Sequence, residues 1–125
     1  MLPIYNQVLL AGRAGHQPIL IHSTDDSTRA TLRLYQNLPS ETGKQSAQVH
    51  HLVAWAGVAQ QMAARVHRGD RLLVQGRLRY RRFVSQGVTH LRAEIHVSHF
   101  DLLAVPKAER ASQAIRPAEK SEVDE

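Results

Sequence analysis

Apolar and polar residues alternate along most of this chain, and one stretch changes to a helical period. Val8-Leu9-Leu10-Ala11 reads as a short buried strand that ends or bends at Gly12. Ile19-Leu20-Ile21, after the Gly15-His16-Gln17-Pro18 break, is a second short strand. Ala30 to Tyr35 alternates cleanly, with Ala30, Leu32 and Leu34 inward and Thr31, Arg33 and Tyr35 outward. Asn37 to Gln48, with Pro39, Ser40, Gly43 and Ser46, reads as a polar loop long enough to expect a function for it. His50 to Trp55 is the next strand. From Val58 to Arg68 the period lengthens: Val58, Ala59, Met62, Ala63 and Val66 mark one helix face. Arg65, His67 and Arg68 fall in its last turn, and Gly69 is placed to cap it. Two long strands follow, Arg71 to Phe83 and Thr89 to Val97 continuing toward Leu103, around a Ser85-Gln86-Gly87 turn. Many strands with one helix in about 100 residues predict an all-β fold, a small barrel rather than a sandwich.

The domain is expected to span 1–105. From Pro106 the chain is rich in Ala, Glu, Lys and Ser, with only Ile115 and Val123 as large apolar residues, and reads as a disordered tail. At 125 residues and 42% hydrophobic, the chain can close one modest core. Its formal charge is +5, unevenly placed: residues 1–105 carry +6 and the remainder −1. Such a surface suits a polyanion, either nucleic acid or an acidic membrane face. The lack of cysteine excludes a disulfide scaffold, a thiolate nucleophile and Cys-ligated zinc. No apolar run approaches the ~18 residues of a membrane span. Met1 to Asn6 lacks the charged-then-apolar build of a signal peptide, so a cytoplasmic protein without membrane contact is expected.

The richest chemistry lies in residues 72–83. On a strand, Leu72, Val74, Gly76, Leu78 and Tyr80 share one face, and Leu73, Gln75, Arg77, Arg79, Arg81 and Phe83 the other. A basic row ending in an aromatic ring suits a nucleic-acid strand whose bases are free to stack. A solvated edge would carry the same charges. Trp55, the only tryptophan, shares its strand face with His51 and Val53 and would join that side if the barrel closes. A lone tryptophan in a small domain is nonetheless more often core than contact. The eight histidines form no helical H-x-x-x-H pair and no His-Glu-x-x-His motif, so no metal is expected. Asp25-Asp26 reads as a solvated turn. No nucleophile-and-base set, phosphate loop or carboxylate pair can be assembled, which predicts a protein that is not an enzyme and uses no cofactor.

The order of these residues resembles the bacterial single-stranded DNA-binding protein family. The match runs from Asn6-Gln7-Val8-Leu9-Leu10-Ala11-Gly12-Arg13 through Pro18 and Ala30-Thr31-Leu32-Arg33-Leu34 to His50–Trp55 and the helix. It continues in Arg68-Gly69-Asp70, Val74-Gln75-Gly76-Arg77-Leu78-Arg79, Glu94-Ile95 and Phe100-Asp101-Leu102-Leu103. It covers roughly residues 4 to 105. The resemblance implies an OB-fold, a five-stranded barrel with a helix between its third and fourth strands, and stacking aromatics in a basic groove. That mechanism comes with the resemblance. It implies sequence-tolerant binding of single-stranded DNA in replication, recombination or repair. Trp55 and Phe83 match stacking positions, with Tyr35 a further aromatic and His51 on the same face as Trp55. Arg33, Arg77, Arg79 and Arg81 would hold the backbone, and His50 matches a histidine of the family's subunit interface, which implies a homo-oligomer, a tetramer foremost.

Three departures accompany the match. Val49 stands where a tryptophan usually precedes the interface histidine, and only Tyr35 lies near the place of another. The tail ends Glu122-Val123-Asp124-Glu125, without the terminal Pro-Phe that recruits partner enzymes, which leans toward a short-tailed paralogue and away from tail-borne partners. Fewer aromatics and more arginines predict weaker binding that depends more on charge. The rival reading is a primosomal-type OB-fold adaptor that acts mainly through protein contacts.

Overall fold

A computed structural model describes residues 3–39 and 41–104, with Gln45 as backbone only. The expected domain end at Val105 and the tail from Pro106 lie outside the described residues. The elements are β1 (Val8–Ala14), β2 (Ile19–His22), β3 (Thr28–Pro39), β4 (Gln45–Trp55), α1 (Ala56–Arg65), β5 (Arg71–Ser85) and β6 (Val88–Leu102). Side by side the strands run β1-β5-β6-β4-β3-β2, and β1 also pairs with β3. Five strands therefore form a closed ring, with β2 hanging on the free edge of β3. Counted around that ring in chain order, the helix lies between the third and fourth strands, as the OB-fold requires.

Closure depends on β1 serving two neighbours. It pairs with β5 from Val8 to Arg13, then with β3 at Arg13 and Ala14. A Cβ on Gly12 would lie 2.7 Å from the Tyr35 carbonyl oxygen and 2.8 Å from Leu34 Cγ, so only glycine lets β1 pass this close to β3. The strand bends there and continues to Ala14. It is not buried throughout: Leu9 is exposed because one side of β1 forms the outside of the ring.

Alternation fills the interior. Ala30, Leu32 and Leu34 of β3 meet Leu52 and Ala54 of β4, Leu72 and Val74 of β5, and Ile95, Val97 and Phe100 of β6. Val97 and Phe100 both point inward because the register slips between Gln75–His99 and Gly76–Val97, leaving Ser98 as the extra residue. Its hydroxyl donates to the Gln75 carbonyl at 3.0 Å. Ala59 and Met62 of α1, with Val66 beyond it, complete the core. Each fully buried Leu or Met contributes about 1.5–3 kcal/mol.

Two boundaries differ from the sequence expectation. The helix starts at Ala56 and ends at Arg65, where Val58 to Arg68 was expected. His67 N–H donates to Asp70 Oδ2 at 2.8 Å, and this side-chain turn replaces the next helical turn. Gly69, at φ +90°, belongs to that turn rather than to the helix cap, and its N–H donates to the Ala14 carbonyl at 2.9 Å. The expected loop from Asn37 to Gln48 is largely a ribbon. Asn37, Leu38 and Pro39 pair with Ala47, Ser46 and Gln45, and the described side chains there are exposed. No face of that ribbon meets the core, so its sequence carries no alternation to betray it.

A second ribbon, formed by β5 and β6 beyond Gly76, ends at Gln86 (φ 53°) and Gly87 (φ 76°), a two-residue turn of type I′ sense. At its root, a Cβ on Gly76 would collide with the His96 carbonyl oxygen and lie 2.9 Å from the carbonyl carbon. The Gly76→Ala variant should accordingly lose about 1–3 kcal/mol of stability from overpacking, read as a lower denaturation midpoint at unchanged m-value. Wild-type stability in that variant would mean that the two strands can separate here without cost.

Candidate nucleic-acid interface

The outward residues of β3, β4, β5 and β6 converge on one groove of about 620 Å³. Cross-strand register sets its composition. Arg29, Thr31 and Arg33 of β3 stand opposite Trp55, Val53 and His51 of β4. His51 and Val53 in turn stand beside Glu94 and His96 of β6 across a parallel pairing. Arg79 and Arg81 of β5 stand opposite Glu94 and Arg92. Of the residues singled out in the sequence, Trp55, His51, Arg33, Arg79 and Arg81 line this groove.

Trp55 is 42% exposed, at the end of β4. It is therefore not a core residue. Its indole N–H donates to His96 Nδ1 at 3.2 Å, with the two ring centroids 6.2 Å apart. Phe83 lies on the same side of the β5–β6 ribbon, outside the groove lining. Its ring stacks on His90 at 5.2 Å, and the guanidinium carbons of Arg81 and Arg92 sit 5.1 and 5.0 Å from its centroid. Arg77 is exposed opposite His96 and also lies outside the lining.

Tyr35 is not brought to this site. It lines a separate depression with Arg13, Asn37 and Leu38, and its ring occupies the space where a Cβ on Gly15 would project. His50, on the opposite parity from His51, is half-buried with Nε2 2.8 Å from Gln36 Oε1. Gln36 donates onward to the Ala11 carbonyl at 2.9 Å, so His50 belongs to a string of contacts across β4, β3 and β1.

Sequence reasoning missed Arg29, Arg92, His96 and above all Glu94. Only 6% exposed, Glu94 is the one buried charged residue among those described. Its Oε2 accepts from Arg81 Nε at 2.8 Å, and its Oε1 lies 3.4 Å from His96 Nε2. The signal was present: on β6, His90, Arg92, Glu94 and His96 occupy alternate positions, opposite in parity to Ile95 and Val97. Among the described residues, Arg29, Arg33 and Arg79 make no ion pair, so most of the groove's charge is uncompensated.

Residues 5–103 match the model of the Single-strand binding protein family. The chain belongs to this family. Single-stranded DNA-binding protein 2 of Streptococcus agalactiae serotype V is 30% identical over 115 residues, covering 90% of this chain and 85% of that protein. The Single-stranded DNA-binding protein of Bacteroides thetaiotaomicron is 28% identical over 120 residues, 90% of this chain and 74% of that one. Single-stranded DNA-binding protein 2 of Nostoc sp. is 24% identical over 120 residues, 94% and 93% of the two chains. Membership makes the chain a binding protein rather than an enzyme. None of the described helices is long and apolar enough to cross a membrane.

Within the groove, His51 resists protonation. Burial lowers its pKa, Arg92 and Arg33 lower it further, and Glu94 only partly opposes them. The unfolded chain takes up this proton as pH falls through about 6.5, whereas the folded chain takes it up only at lower pH. The contribution of His51 to stability is therefore intact above that pH and is lost as pH falls toward the folded value. Melting curves of His51→Gln and wild type should diverge in slope, the variant losing less Tm between about pH 7.5 and pH 5. Parallel slopes would mean that His51 ionises as readily folded as unfolded.

Proposed function

We propose that this chain binds single-stranded DNA with little sequence preference, the strand lying along the β3–β4–β6–β5 groove. One observation carries the reading: an exposed tryptophan shares a groove with uncompensated arginines from two strands that flank it. Arg33, Arg77 and Arg79 contact phosphates, Trp55 and Phe83 stack bases, and His51 lies under the strand. Arg81 is held by Glu94 and set against Phe83 at the rim of the groove. Tyr35 serves only if the strand wraps past Arg13 into the second depression. The intact groove disfavours the adaptor reading. The setting is replication, recombination or repair in the cytoplasm, at the nucleoid.

Assembly belongs to the same proposal. A 125-residue chain leaves Leu9, Val49 and Tyr80 exposed, and a homotetramer with His50 in a subunit contact would cover apolar surface of this kind. Light scattering at micromolar concentration should give four copies. A monomer would count against the assembly and in favour of an adaptor.

Oligo-dT should quench the emission of Trp55, and duplex DNA should compete poorly. Equal quenching by both would reduce the groove to a basic surface. Phe83→Ala should weaken binding by about 1–3 kcal/mol with the salt slope little changed. Arg79→Ala should instead flatten the slope of log K against log salt by about 0.7, the value for one phosphate on a single strand. An unchanged slope would place the DNA path elsewhere.

A further inference from the structure

A carboxylate buried in an anion-binding groove requires a reason. It repels the phosphates the groove is built to attract, and burying it costs free energy unless it is paired. Glu94 touches two partners on opposite sides. Arg81 Nε donates to Oε2 at 2.8 Å, and His96 Nε2 stands 3.4 Å from Oε1. On its far side His96 accepts the Trp55 indole N–H through Nδ1, at 3.2 Å.

Together these contacts fix a proton. Nδ1 can accept from an indole only when it carries no hydrogen, so the neutral ring must carry its proton on Nε2. The carboxylate next to Nε2 favours that tautomer. Trp55 is 42% exposed, and this hydrogen bond fixes the direction in which its indole N–H points. A ring held in place before binding spares the cost of ordering it when a base stacks.

We propose that Glu94 is a positioning residue of the groove: through His96 it orients Trp55, and through Arg81 it withholds one guanidinium from the phosphates. The inference rests on the single-stranded DNA reading above. The first half can be examined without DNA, so the two can fail separately. Glu94 thus shifts the groove from charge toward stacking.

Trp55 is the only tryptophan, so its indole N–H gives one NMR cross-peak. In the DNA-free wild-type protein, ring-nitrogen shifts should assign His96 as the Nε2–H tautomer at neutral pH. Glu94→Gln and His96→Ala should both move the indole cross-peak. In oligo-dT titrations, Glu94→Gln should steepen the salt slope by about 0.7 in the wild-type background and not at all in an Arg81→Ala background. An Nδ1–H tautomer in wild type, or an indole peak unmoved by Glu94→Gln, would overturn the orienting role. A slope unchanged by Glu94→Gln while oligo-dT still binds would overturn the role at Arg81. If Glu94→Gln does not fold, the wild-type tautomer and the His96→Ala peak decide the orienting role. Loss of oligo-dT binding by wild type itself would count against the DNA reading and leave the tautomer test to decide the positioning.

Discussion

The parallel seam between β4 and β6, which sets His51, Leu52 and Val53 beside Glu94, Ile95 and His96, is the contact on which the groove depends. Each flanking hairpin, β3 with β4 and β5 with β6, has its own extensive antiparallel ladder. The seam joins the two edge to edge. Its core-side residues, Leu52 and Ile95, are buried at 1% and 5% exposure, and the hydrophobic effect holds them there. Because side chains alternate across a strand, the same burial turns His51, Val53, Glu94 and His96 to the other side. The groove is thus the obligatory reverse of the core.

Electrostatics on that face is unbalanced. Guanidiniums from β3, β5 and β6 crowd one groove with a single buried carboxylate among them. Their mutual repulsion disfavours the compact state and is relieved when an anion arrives. The cost is visible in His51, which is kept neutral by burial and by its arginine neighbours. Where the arginines reach the ribbon, Phe83 accepts two of them against its ring.

Close backbone approach links fold to site. Gly76 lies at the root of the ribbon that carries Arg79, Arg81 and Phe83, and Gly12 lies where β1 closes the ring. At both places a side chain would force strands apart. The bulge at Ser98 adds the twist that keeps Val97 and Phe100 in the core while the ribbon leaves it.

Local pattern determined much of this protein. Alternation in Ala30–Tyr35 and in Leu72–Phe83 set which residues face the core, and the longer period near Met62 marked the helix, because periodicity is a local property of a strand or helix. The arginine row and the parity of Trp55 were legible for the same reason. Tertiary structure decided the rest. The described side chains between Asn37 and Gln48 are exposed, so nothing in their sequence distinguished this ribbon from a loop. The helix stopped at Arg65 because Asp70 captured the His67 N–H. Tyr35 left the groove because β3 crosses to β1 at that point, and Glu94 entered it because a strand 43 residues later in the chain lies beside His51. A residue's neighbours along its own strand are written in the sequence. Its neighbours across a seam depend on which strands the core brings together.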